Sequence, residues 1–239
     1  MIELVGSESR ENFVEIGRLV RGHLQELCGL QPEHDVLEIG CGAGRIAIPL
    51  TQYLSPAGSY EGFDVVPELV AWCTDAISAH HPNFRFRLAD VFNGFYRDAG
   101  ATRARDFAFP FPDERFDLVV ANSVFTHMLP EDVERYVEET ARVLREGGRF
   151  FATFYLVNDE SVRLIESGAA ELEFTIDRGS HRVEWEHDPE GAVALSDEDV
   201  LAVLREQGFD LHGPIHHGSW AGRPMSVDYQ DVVVAFKRR

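Results

Sequence analysis

The sequence predicts an α/β chain built on a doubly wound, mostly parallel sheet. Three observations carry that prediction. Five strand-and-helix units follow one another, an order that forms a parallel sheet through right-handed crossovers. A glycine-rich turn joins the first strand to the next helix. Acids, Asp64 and Asp90, end the next two strands, on the side where ligands of such sheets bind.

Length and composition narrow the reading. With 239 residues the chain can bury one sizeable core, so a single α/β domain with an appended lid is expected. Formal net charge is −19 and Lys237 is the sole lysine. So acidic a surface repels phosphate backbones, and nucleic acid is not an expected partner. No apolar run approaches the ~20 residues of a membrane span, so no membrane partner is expected. The N-terminus, M-I-E-L-V-G-S-E-S-R, also lacks a basic head, an apolar segment and a cleavage site, and a cytoplasmic location is expected. Cys28, Cys41 and Cys73 are odd in number and have no C-x-x-C spacing, which suggests neither a disulfide framework nor a zinc site. Oligomeric state has no signature here.

Residues 9–28 place Phe13, Ile16, Val20, Leu24 and Leu27 at spacings of three and four, with Ser7 or Ser9 as N-cap, and predict an amphipathic helix. Together with the residues before the first strand it makes a helical cap over 1–35. Next comes V-L-E-I-G-C-G-A-G-R at 36–45. Val36, Leu37 and Ile39 read as a buried strand, and Gly40, Gly42 and Gly44 turn it into a helix over 45–54. Glycines tolerate positive φ and carry no Cβ, so a ligand can lie against this backbone, with Cys41 a small side chain inside the loop. Dinucleotide-binding turns read G-x-G-x-x-G. Here the pattern is G-x-G-x-G, with Glu38 two residues ahead.

This stretch resembles the first motif of the class I S-adenosylmethionine (SAM)-dependent methyltransferases. The resemblance extends over 36–237 in order and spacing. It implies a Rossmann-like sheet of seven strands with the last antiparallel, SAM as cofactor, and S-adenosylhomocysteine (SAH) as product. In such enzymes the leading helix can cover the cofactor, which would bring Phe13 or Arg10 near it. The resemblance also implies that Glu38 helps hold the methionine end, and that backbone at Gly40 and Ala121 meets its ammonium and carboxylate.

The second strand, S-Y-E-G-F-D-V, ends at Asp64 and Val65, about 20 residues beyond the glycines, where a nucleoside-binding sheet keeps an acid for ribose hydroxyls. A helix over 67–79 follows. Phe84, Phe86 and Leu88 alternate in the third strand, which ends in Asp90 and Val91. By resemblance, Asp90 accepts from the adenine amino group and the Val91 amide meets the ring. Residues 93–113, with F-A-F-P-F-P-D, lack periodicity and read as an ordered surface insertion beside the pocket. The fourth strand, 116–125, delivers Ala121, Asn122 and Ser123 to the ligand side. A helix over 131–144 stops at E-G-G, and 149–157 makes the fifth strand.

A lid insertion is expected at about 158–195, with a short helix near 161–167 and E-L-E-F-T-I with R-V-E-W-E-H as a hairpin. Ser196 opens a helix with acids in its first turn. The last two strands flank a loop holding Trp220 and Arg223. The domain thus spans 36–239, and its expected cofactor-binding set is Glu38, Gly40, Cys41, Gly42, Gly44, Arg45, Asp64, Val65, Asp90, Val91, Ala121, Asn122 and Ser123.

Methyl transfer to an alcohol requires a proton acceptor, and histidine suits it near neutral pH. His127, just past the fourth strand, is the candidate base and a candidate substrate contact. A histidine that bonds the cofactor or packs the loop fits the same place. Tyr155, His217, Trp220 and Arg223 are the other candidate substrate contacts. A-N-S-V-F-T-H lacks the acids of magnesium-dependent catechol methyltransferases, so no metal is expected. It also lacks the N-P-P-Y-type wall of base-modifying enzymes. The expected function is SAM-dependent O-methylation of a small molecule. Alternatives are N-methylation of a small amine, a non-catalytic SAM-binding regulator, and a nicotinamide-dependent oxidoreductase.

Overall fold

The computed structural model describes residues 6–238. The first five residues, which open the expected 1–35 cap and the stretch read for a targeting signal, lie outside them, as does Arg239. Helix α1 (Arg10–Glu26) starts at Ser9, whose hydroxyl accepts from the Asn12 amide at 3.1 Å. It buries Phe13, Gly17, Val20, His23 and Leu24 on one stripe.

Seven strands form the main sheet: β1 (Asp35–Ile39), β2 (Ser59–Asp64), β3 (Phe84–Leu88), β4 (Phe116–Ala121), β5 (Leu144–Phe154), β6 (Phe209–Leu211) and β7 (Asp231–Lys237). Their order is β6-β7-β5-β4-β1-β2-β3. β7 runs antiparallel to both neighbours, and the pairs β5–β4, β4–β1, β1–β2 and β2–β3 are parallel. The strand order reverses between β1 and β4, where Ile39 stands beside Ala121. The two carboxyl ends therefore open a crevice at Gly40 and Asn122.

Side-chain alternation divides the core between the two faces. Leu37, Ile39, Val119, Ala121, Phe150 and Ala152 meet the buried side of α4 (Pro130–Val143). Val36, Leu118, Val120 and Phe151 meet α1 and the one-turn helix α2 (Ala47–Leu50). α2 is shorter than the expected 45–54, and turns continue it to Leu54. Pro49 has no N–H to give the Arg45 carbonyl. α1 closes against that carbonyl instead: a Cβ on Gly17 would stand 2.2 Å from it.

α3 (Pro67–Cys73) ends in a π-helical turn, Thr74–Ser78. α4 gives way to β5 at Leu144, before the expected glycine stop, because buried Leu144 pairs with Phe116. The expected surface insertion at 93–113 is partly core. Phe109 packs on Phe63 and Tyr136 with ring centroids 5.0 and 5.1 Å away, and its amide donates to Glu139 at 2.6 Å.

The lid holds the expected hairpin, Ile176–Asp177 against Arg182–Val183. It is larger than a hairpin, because Val193–Ser196 and Leu156–Val157 extend it to four strands. Leu156–Val157 thus belongs to the lid sheet and not to β5. α5 (Asp159–Glu166) is capped by Asn158, and α6 (Asp197–Glu206) by Ser196. No helix among the described residues is long and apolar enough to cross a membrane.

Candidate active site

The glycine turn takes backbone shapes that side chains disfavour. Gly40, Gly42 and Gly44 have φ of +65°, +52° and +75°. A Cβ on Gly40 would press on the Val124 side chain at 2.6 Å. The turn is tied to the next strand twice: the Cys41 amide donates to the Phe63 carbonyl at 3.0 Å, and the Gly42 amide to Asp64 Oδ2 at 2.7 Å. Asp64 Oδ1 accepts from the Val66 amide at 2.9 Å. Burial raises the Asp64 carboxyl despite these bonds. Three backbone amides, those of Gly42, Val65 and Val66, leave the carboxylate acceptor capacity to spare, and it lines the cleft.

The cleft encloses about 690 Å³. α1 contributes Asn12, Ile16 and Val20; the turn contributes Gly40, Gly42 and Arg45. The ends of β2, β3 and β4 supply Asp64 and Val65, Val91, and Asn122 with Ser123. These residues fit a nucleoside: apolar Val65, Leu69 and Val91 offer a wall for a flat base, and Asp64 an acceptor for a vicinal diol. Ser123 holds a left-handed φ of +58°. Its amide donates to Thr153 Oγ1 at 2.7 Å, and Gln230 Nε2 donates to its hydroxyl at 3.0 Å.

At the far end stands His127, on a short turn, Phe125–His127. Its Nδ1 lies 3.0 Å from the Glu190 carbonyl oxygen in the lid. A carbonyl only accepts, so that bond assigns the proton to Nδ1 and leaves the lone pair on Nε2. Tyr96 Oη lies 3.4 Å from Nε2. Burial lowers the His127 pKa below its ordinary value, and hydrogen bonds to the lid backbone oppose that shift. The imidazole is therefore neutral at pH 7, with Nε2 able to take a proton.

Not every expected residue reaches the cleft lining. Gly40, Gly42, Arg45, Asp64, Val65, Val91, Asn122, Ser123, His127 and Tyr155 do. Glu38, Cys41, Gly44 and Ala121 sit behind it. Glu38 accepts from the Tyr60 hydroxyl, and burial pushes its carboxyl up to about 8. Cys41 is buried and its thiol is pushed well up. Asp90 does not line the cleft either. Its neighbours Ala89 and Val91 point into the core, so alternation turns Asp90 outward, where Arg97 Nη2 holds it at 2.8 Å. Phe13 packs under the turn with Ala43 and Leu69, and Arg10 does not line the cleft.

Trp220, Arg223 and His217 do not line the cleft either: all three gather around buried Asp231. Trp220 Nε1 donates to Asp231 Oδ2 at 2.6 Å, His217 Nδ1 lies 3.3 Å from Oδ1, and Arg223 Nη1 lies 3.7 Å from it. An indole N–H in the core needs an acceptor, and Asp231 provides it. Arg223 also pairs with Glu160 at 2.8 Å.

Sequence reasoning missed Asn93, Phe95, Tyr96, Glu190 and Gln230, all of which line the cleft. Asn93-Gly94 is a turn signal directly after the third strand and could have marked the first of these. Among the described residues no group of three or more His, Cys, Asp or Glu side chains gathers as a metal site.

A seven-stranded sheet of this order, with a glycine turn and a buried acid meeting at its switch point, is the fold of the Rossmann-like, class I SAM-dependent methyltransferases. Residues 36–148 match the methyltransferase domain family. Over residues 36–148 the chain is therefore a methyltransferase domain of the class I, SAM-dependent kind. It is 27% identical to the uncharacterized methyltransferase YcgJ of Bacillus subtilis, over 80% of this chain and 65% of that one. The solved YcgJ structure superposes with a TM-score of 0.57 at 19% identity, covering 93% of this chain and 99% of that one. Nocamycin O-methyltransferase of Saccharothrix syringae is 30% identical over 59% of this chain and 44% of its own. A tRNA N(3)-cytidine methyltransferase of Gallus gallus is 27% identical over 53% and 32%. The chain thus spans less than two thirds of the length of these curated relatives.

Proposed function

We propose that the protein methylates a hydroxyl group of a small organic acceptor, with His127 as the base. The observation that carries the reading is the Nδ1 bond to the Glu190 carbonyl, which leaves the Nε2 lone pair at the cleft. Bound SAM supplies an electrophilic methyl group on positively charged sulfur. The chain's part is to align the acceptor oxygen, exclude water and hold its proton. Asp64 would bind the ribose hydroxyls, with the glycine turn, Asn122 and Ser123 beside the methionine end. Helix α1 of the cap and the lid over 158–195 would close the two sides of the cleft.

Charge supports a small acceptor over a nucleic acid. Arg45 is the one arginine or lysine lining the cleft among the described residues, and Asp132, Glu190 and Asp228 line it too. The O-methyltransferase relative supports oxygen as the acceptor atom, and the tRNA-modifying relative is the contrary case to test. The experiment is incubation with methyl-labelled SAM and a panel of hydroxylated compounds, amines and tRNA. Label recovered in a methyl ether supports the proposal. Label in an amine or in RNA overturns it.

A further inference from the structure

We infer that Tyr96 is a catalytic residue, relaying the acceptor's proton to His127; the inference rests on the O-methylation reading above. Glu190 already occupies Nδ1, so Nε2 is the one ring nitrogen left to take a proton. The Tyr96 hydroxyl stands 3.4 Å from that nitrogen, its ring edge-on to the imidazole at 5.2 Å and 81°. Phe95 covers an imidazole face, stacked at 5.6 Å and 14°. The phenol therefore stands beside Nε2 in the cleft that both residues line. Tyr96 spends its single O–H on Nε2, and its oxygen still has acceptor capacity toward the cleft that it lines.

The spacing of the pair is built, not incidental. Asn93 Oδ1 accepts from the Tyr96 amide at 2.8 Å and the Phe95 amide at 3.1 Å. The same side chain donates from Nδ2 to the His127 carbonyl at 3.1 Å. One asparagine thus fixes donor and base relative to each other. Glu190 closes the arrangement, its carboxylate accepting from the Gly94 amide at 2.5 Å while its carbonyl holds Nδ1.

The acceptor O–H breaks and a new O–H forms at Tyr96 Oη, while the original Tyr96 O–H breaks and N–H forms at His127 Nε2. The acceptor oxygen keeps the bonding pair, which would form the new carbon–oxygen bond as the donor's carbon–sulfur bond breaks and its pair stays on sulfur. Tyr96 ends neutral, and the positive charge rests on the imidazolium until solvent takes the proton. Burial pushes the phenol up to about 12, so Tyr96 is protonated at the start of each cycle.

The test compares Tyr96→Phe with the wild type and with His127→Ala. Phenylalanine keeps the ring contacts and removes only the hydroxyl. Expected is a loss of about 10²-fold in kcat, with acceptor KM and SAH affinity held within about twofold. Nitrogen NMR of the ligand-free wild-type chain gives a second readout that needs neither turnover nor the variant. His127 Nε2 should resonate as a hydrogen-bonded, proton-free nitrogen, and Tyr96→Phe should move it toward the unbonded position. A wild-type Nε2 already at the unbonded position overturns the relay. So does unchanged kcat in Tyr96→Phe while His127→Ala loses it, since His127 then takes the proton directly. Full turnover in both variants instead removes His127 as base, and the relay with it.

Discussion

The amide of Gly42 donates to the carboxylate of Asp64 at 2.7 Å, bridging the turn after β1 and the end of β2. This bond makes the glycine turn and the acid one unit. Asp64→Ala would leave the Gly42 and Val66 amides without their partner and remove the ribose acceptor. SAH affinity should fall at least tenfold by calorimetry, about 1.4 kcal/mol or more. Affinity within twofold of the wild type would take Asp64 out of the site.

Gly17 is the point where α1 rests on the Arg45 carbonyl. Gly17→Ala places a methyl group 2.2 Å from that oxygen, so the helix must shift. Overpacking of this kind costs about 1–3 kcal/mol, and Asn12, Ile16 and Val20 would leave their places along the cleft. A lower Tm together with weaker SAH binding is expected. A higher Tm, as alanine's helix propensity alone would give, contradicts the close packing.

Glu38 links the site to pH. Its carboxyl ordinarily titrates at 4.5 and is pushed up to about 8 in the fold, first by burial. Between those values the unfolded chain sheds a proton that the folded chain keeps, so this contribution to stability is full below pH 4.5 and lost as pH rises through 8. Glu38→Gln removes the titration while retaining an acceptor for the Tyr60 hydroxyl. Urea unfolding at pH 5 and pH 8 should show a smaller loss of stability in the variant. An equal loss in both chains would place the pH dependence elsewhere.

Asp231 binds the last strand to the lid and to the 219–221 turn. It accepts from Trp220, from the Gly218 amide at 2.8 Å and from the Leu156 amide at 2.7 Å, with Arg223 and His217 beside it. Asp231→Ala breaks a buried charged network and should cost about 3–5 kcal/mol in urea unfolding. Trp220→Phe should lower stability and leave acceptor KM within about twofold. A tenfold rise in KM would return Trp220 to the substrate site.

The parts of the fold carried by local pattern were legible in the sequence. Alternation and helical spacing located the seven strands, the Ser196 cap and the strand-end positions of Asp64 and Ser123, and left the first helix's cap between Ser7 and Ser9, of which Ser9 caps it. What escaped depends on contacts between distant segments. Asn93 reaches Glu190 across 97 residues of chain, and no spacing rule connects them. Trp220 and Arg223 look available in a polar loop until Asp231 draws them inward. Asp90 is the opposite case. The alternation of Ala89, Asp90 and Val91 was present in the sequence, but the expectation taken from the family's motif set Asp90 toward the ligand. Likewise Phe107, Phe109 and Phe111 alternate but form no strand, because Pro110 and Pro112 interrupt the ladder and the rings fill a gap over Phe63 and Tyr136.

The most direct measurement is turnover of His127→Ala across pH, alongside its SAH affinity. Burial lowers the histidine's pKa, so wild-type kcat should hold at neutral pH and fall only below pH 6.5, as the base becomes protonated. The variant should lose about 10²-fold or more in kcat, lose that acid limb, and bind SAH as the wild type does. Unchanged turnover would refute His127 as the base. Lost SAH binding would make it a cofactor contact instead.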